Sequence, residues 1–126
     1  MKTERQEIGK KGEDEACRFL QQQGHTIIER NWRGSRTELD IVSLAPDGLH
    51  FVEVKSRKAP VMVAPEANVT AAKMKHIVNA ASCYLHGAGR GRFVGTEIFF
   101  DVVTVVFEGD HAIINYYPAA FRPMYF

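Results

Sequence analysis

Cysteine is scarce in this sequence: Cys17 and Cys83 are the only two among 126 residues. They stand apart and form no Cys-x-x-Cys, so there is no thiolate metal centre, and their usage fits a reducing compartment. Net charge is nearly absent as well, with 16 Lys and Arg against 15 Asp and Glu and a pI of about 7.8. That total does not mark a nucleic-acid binder; only the distribution of charge can show a local basic patch. No apolar run approaches the roughly 18 residues of a membrane helix, and Met1 to Glu7 lacks the apolar core of a signal peptide. A cytoplasmic protein without membrane contact is expected. His25, His50, His76, His86 and His111 show no metal-ligand spacing. Repeats and low-complexity tracts are missing too.

What is present is ordinary for a globular chain: 45% hydrophobic and 25% charged residues. The length suits one domain over residues 1–126, burying about two-thirds of its unfolded surface.

One stretch departs from that norm. Thr37 to Ala45 and Leu49 to Arg57 are apolar, β-rich runs flanking Pro46-Asp47-Gly48, which is a hairpin signal. Yet Glu38 and Asp40 in the first run, and Glu53 and Lys55 in the second, recur at every second position and so share a face of each strand. Charges in apolar strands are paired or bind a metal. If Pro46-Asp47 is a two-residue loop, Asp40 opposes Glu53 and Glu38 opposes Lys55. Two opposed carboxylates repel unless a cation lies between them, and Mg²⁺ suits such a pair. A three-residue loop with Gly48 left-handed also fits the turn, and would put Asp40 and Glu53 on opposite faces.

Around this hairpin the periodicities predict a helix over 8–23, with acid at 13–15 in its first turn and Glu13 on the inward face with Ala16 and Cys17. A strand over 25–32 and a basic turn over 33–36 follow. After the hairpin come a loop over 58–69 with a helical turn at 64–67, and a helix over 70–86 capped by Thr70 or Asn68. A basic loop over 87–92, strands over 96–107 and 111–117, and an aromatic tail complete the chain. The expected architecture is α/β: a mixed sheet of about five strands flanked by helices, in the order α-β-β-β-α-β-β.

Glu38-x-Asp40 followed by Glu53-x-Lys55 resembles the PD-(D/E)xK core of restriction-endonuclease-like and Holliday-junction-resolvase-like nucleases. With Gly9-x-x-Gly12-Glu13-x-x-Ala16, Glu29-Arg30-Asn31 and Phe51-Val52-Glu53-Val54-Lys55-x-Arg57, nearly the whole chain resembles the YraN-type bacterial proteins, although Thr37 and Phe99 replace a usual glycine and arginine. The resemblance implies a restriction-endonuclease-like fold. It makes Asp40 and Glu53 ligands of Mg²⁺ or Mn²⁺ together with the Val54 carbonyl, Lys55 the catalytic lysine, and Glu13 an additional acid from the first helix. Glu38 would support the site, while Arg33, Arg36, Arg57, Lys58 and Lys73 would meet the phosphates of nucleic acid, chiefly DNA.

Plainer readings stand beside these. Glu38 and Lys55 suit a surface ion pair. Asp101 suits a partnered structural acid, and Lys73 a snorkelling lysine at a helix edge. Trp32 and the tail aromatics suit a core or a homodimer contact. The functional expectation is a divalent-metal-dependent endonuclease acting on branched or single-stranded DNA in repair or recombination. Its rivals are an inactive nucleic-acid-binding module of the same fold and a homodimeric assembly protein.

Overall fold

A computed structural model describes residues 1–61 and 68–123. Its elements are α1 (Glu4–Gln22), β1 (Thr26–Gly34), β2 (Thr37–Ala45), β3 (Gly48–Lys58), α2 (Ala71–His86), β4 (Ile98–Glu108) and β5 (His111–Phe121). The expected order α-β-β-β-α-β-β is therefore found. The strands form one sheet in the order β1-β2-β3-β4-β5, with β3 and β4 parallel and every other neighbouring pair antiparallel. The helical turn expected at 64–67 lies outside the described residues, as do Tyr125 and Phe126.

α1 begins earlier than its periodicity suggested. Thr3 caps it, accepting from the Gln6 N–H while the Gln6 side chain accepts from the Thr3 N–H. The acids of its first turn are Glu4 and Glu7, so Glu13 lies in mid-helix rather than at the dipole end. β5 also runs four residues past its expected end, to Phe121, whose buried ring stacks on Phe100. That tail aromatic belongs to the core.

Strand alternation divides the core between two faces. Ala16, Cys17 and Leu20 of α1 pack with Ile41, Val52, Val103 and Val105 on one. Ile77, Ala80, Ala81 and Tyr84 of α2 pack with Val42, Leu49, Phe51, Phe100 and Val102 on the other. α1 lies so close to β3 that only Gly12 fits at the crossing: a Cβ there would stand 1.7 Å from Ser56 Oγ and 2.7 Å from Ser56 Cβ. Gly12→Ala should destabilise by about 1–3 kcal/mol through overpacking, although helix propensity alone favours alanine. Denaturant unfolding checks this, and Ser56→Gly added to Gly12→Ala should restore most of the loss.

A buried polar network sits on the α1 face. His50 is 2% exposed, and its Nδ1 and Nε2 lie 2.6 Å from Asp101 Oδ2 and 2.7 Å from Asp47 Oδ1. Each ring nitrogen faces a carboxylate oxygen, an arrangement that favours the imidazolium. Desolvation opposes that charge, but the bonds to Asp101 and Asp47 outweigh it and raise the pKa. The raised value means that His50 contributes stability fully below about pH 6.5, and that this is lost as pH rises through the folded pKa. The melting-temperature gap between the wild type and His50→Gln should therefore shrink across that alkaline limb; a constant gap would contradict the assignment.

Candidate functional site

β2 and β3 are joined through the two-residue loop: Ala45 pairs with Gly48 and Ile41 with Val52. This is the register that leaves Asp40 opposite Glu53. The regular ladder stops at Ile41, and there the alternation also breaks. Leu39 packs on the α2 side and Ile41 on the α1 side, though they are two apart. β1 does the same one strand away, since Arg30 reaches Asp14 of α1 at 2.6 Å while Trp32 packs edge-on against Tyr84 of α2. Between Arg30 and Trp32 lies Asn31, at φ 50. Asparagine tolerates this left-handed region better than most residues. β1 and its neighbour β2 thus change face together at Asn31 and Asp40.

This switch lets Asp40 see both sides of the sheet. Its Oδ2 accepts the Val54 N–H at 2.9 Å, and its carboxyl interacts electrostatically with that of Glu53. Glu53 faces α2, where Lys73 Nζ lies 3.4 Å from its Oε1. Glu13 comes from α1 and interacts electrostatically with Asp40, while its Oε1 is buried with no hydrogen-bond partner. Desolvation first, and the Asp40 charge second, push both Glu13 and Glu53 up to about 7. Burial raises Asp40 too, against the pull of the Val54 N–H and Lys73. Two carboxylates crowded into a desolvated space repel, and a proton or a cation between them relieves that repulsion.

The donor set fits a hard divalent ion. It consists of carboxylate oxygens without thiol or imidazole, and Mg²⁺ commonly takes one or two carboxylates plus waters and phosphate oxygens. Among the described residues no group of three or more His, Cys, Asp or Glu stands ready to hold an ion by itself. The pair Asp40–Glu53 meets the smaller requirement, with the unpaired Glu13 Oε1 beside it. At Val54 the group engaged with the acids is the N–H, which holds Asp40 in place.

The expected cations separate into two groups. Arg33, Arg36 and Lys73 gather round one cavity of about 400 Å³, joined by Thr37, Glu38 and His76. Arg57 and Lys58 lie instead by the start of α1, where Lys58 Nζ bonds Glu4 at 3.0 Å and Arg57 donates to the Ser56 carbonyl. Glu38 pairs with Arg33 at 3.9 Å across the β1–β2 turn. Lys55 lies on the Glu53 side of β3, and its ammonium donates to the Asn68 carbonyl. Lys73 is more than a snorkelling lysine, because it is the ion-pair partner of Glu53. Asp101 is a partnered structural acid on the other face.

Sequence reasoning assigned no role to Asn31 and His76. Asn31 had a local signal, an asparagine between two β runs next to Glu29-Arg30; His76 had only its position one turn after Lys73. A larger cavity, about 660 Å³ beside Pro60, Val106, Ile113 and Tyr117, holds none of the expected site residues.

Comparison with known proteins agrees with the resemblance seen in the motifs. The family described as "Uncharacterised protein family UPF0102" matches residues 12–105. A UPF0102 protein of Myxococcus xanthus is 40% identical over 120 residues, covering 94% of this chain and 92% of that protein. One from Bacteroides thetaiotaomicron is 36% identical over 124 residues, covering 98% and 99% respectively. One from Clostridium perfringens is 36% identical over 124 residues, covering 97% and 99%. Among the described residues no helix is long and apolar enough to cross a membrane.

Proposed function

The chain belongs to the uncharacterised protein family UPF0102, and from that premise we propose that it is a divalent-metal-dependent endonuclease acting on DNA, branched or single-stranded. The observation that carries this reading is the carboxyl pair Asp40–Glu53, desolvated beside Lys73 and Glu13. Asp40 and Glu53 are the residues that would hold Mg²⁺ or Mn²⁺. When bound, the ion supplies Lewis-acid polarisation of a phosphoryl oxygen and a lowered pKa for a coordinated water.

The remaining chemistry falls to the chain's own groups. The Val54 N–H fixes one oxygen of Asp40, which limits the pair to one orientation. Lys73 and Lys55 bring positive charge to the Glu53 side, where a phosphodiester gains negative charge as it is attacked. Glu13 Oε1 has no partner and a pKa near neutrality, so it can take a proton from an attacking water at working pH. Arg33 and Arg36 extend the positive surface along the strand being cut.

A cleavage panel tests the reading: linear, flapped, four-way and single-stranded DNA, each with Mg²⁺ and with Mn²⁺. Divalent-dependent cutting of at least one substrate, abolished by Lys55→Ala, is expected. No cutting of any substrate with either ion would reject it, and salt-sensitive binding in that case would leave a binding module of the same fold.

A further inference from the structure

A cavity lies between the β1–β2 turn and the first turns of α2. We propose that it holds a phosphate and its nucleoside from an unpaired nucleic-acid strand, on the Lys73 side of the carboxylate pair. The site rests on the nuclease reading only in its placement beside a metal-binding carboxylate pair; binding itself requires neither metal nor cleavage.

Arg33, Arg36 and Lys73 meet one carboxylate at this cavity, Glu38, whose one ion pair among the described residues is the 3.9 Å contact to Arg33. His76 adds a flat ring and a further nitrogen. Thr37 also lines the same space.

The turn itself points the same way. Gly34 pairs with Thr37, so Ser35-Arg36 is a two-residue hairpin loop. Such loops favour Asn-Gly or Gly-rich pairs because of their positive φ. Here Arg36 sits at φ 60, a conformation glycine adopts without penalty. An arginine kept where its backbone is disfavoured is an arginine whose guanidinium has work to do.

The shape selects the strand. At about 400 Å³ the cavity lies in the range of pockets that enclose a small molecule, and so exceeds what a phosphate alone fills. In a duplex the nucleoside is stacked and paired, and only its phosphate can approach. An unpaired nucleotide can turn its sugar and base inward as well. Lys73 then links the two places, since it lines this cavity and pairs with Glu53.

The test is fluorescence anisotropy in EDTA, using a labelled oligothymidylate of about twelve nucleotides and a blunt duplex of equal length. Arg36→Gly relieves backbone strain and so should fold at least as well as wild type. It should nevertheless bind the single strand about tenfold more weakly, with a salt slope lower by about one. His76→Ala should weaken binding to a smaller degree, and Arg18→Ala, on the exposed side of α1, should leave it unchanged. Unaltered single-strand binding by Arg36→Gly would overturn the proposal, and so would an equal loss on the duplex. Cleavage with Mg²⁺ is scored separately. Loss of binding in Arg36→Gly without cutting by the wild type keeps this site and rejects the nuclease; cutting with unaltered binding does the reverse.

Discussion

Asp40→Asn is expected to melt higher than the wild type in metal-free buffer at about pH 8, by roughly 1 kcal/mol or several degrees, while cleaving DNA at least about a thousandfold more slowly. The two effects have one cause. Asp40 interacts electrostatically with both Glu53 and Glu13. Once ionised, these groups repel in a desolvated space. Asparagine keeps the shape, can still accept the Val54 N–H, and can donate its amide to Glu53. The substitution removes a charge without leaving a hole.

The metal-free wild type should show the same repulsion as a pH dependence. Glu13 and Glu53 have folded pKa values of about 7, raised from 4.5. The folded chain holds their protons longer than the unfolded chain. Stability is therefore fullest below about pH 4.5 and declines as pH rises through about 7. Mg²⁺ should raise the wild-type melting temperature at pH 8, by about 2.7 kcal/mol at a hundredfold excess over its dissociation constant. Asp40→Asn should lose that response. A variant that melts lower than the wild type without metal, or that answers Mg²⁺ as the wild type does, would remove the basis for a cation site.

The parts of this site that the sequence disclosed are those encoded by period two and by the turn. Pro46-Asp47 gave two candidate registers, and the observed one pairs Ala45 with Gly48. Strict alternation, however, could not have assembled the site. Glu53 faces α2 and Glu13 belongs to α1, on opposite sides of the sheet. They communicate only because β1 and β2 change face at Asn31 and Asp40. A face switch has no signature in a hydrophobic pattern, since Leu39, Asp40 and Ile41 read like any alternating strand. The left-handed Asn31 was its one local trace. The start of α1 was misplaced for a related reason: Thr3 and Gln6 form a capping box in a polar stretch without apolar period. The inward orientation of Glu13 was nonetheless legible, because Ala16 and Cys17, three and four residues on, are core.

Asp101→Ala should be among the most damaging single changes, costing about 3–5 kcal/mol. Asp101 is fully buried in β4, and three groups depend on it. The Tyr116 O–H donates to Oδ2 at 2.6 Å, the Ala119 N–H donates to Oδ1 at 2.8 Å, and His50 Nδ1 lies 2.6 Å from Oδ2. Burial first, and this bond next, push the Tyr116 hydroxyl far up, so it remains a donor at any ordinary pH. Alanine would strand two donors and leave the His50 imidazolium with only Asp47, which is on the exposed turn. Asp101→Asn should cost less, since its carbonyl can still take the Ala119 N–H. If the loss flows through His50, the double variant Asp101→Ala/His50→Gln should be more stable than the sum of the single changes implies. Denaturant midpoints for the four proteins decide it. A cost below about 1 kcal/mol for Asp101→Ala, or strict additivity with His50→Gln, would mean that this buried pair does not stabilise the parallel β3–β4 centre of the sheet.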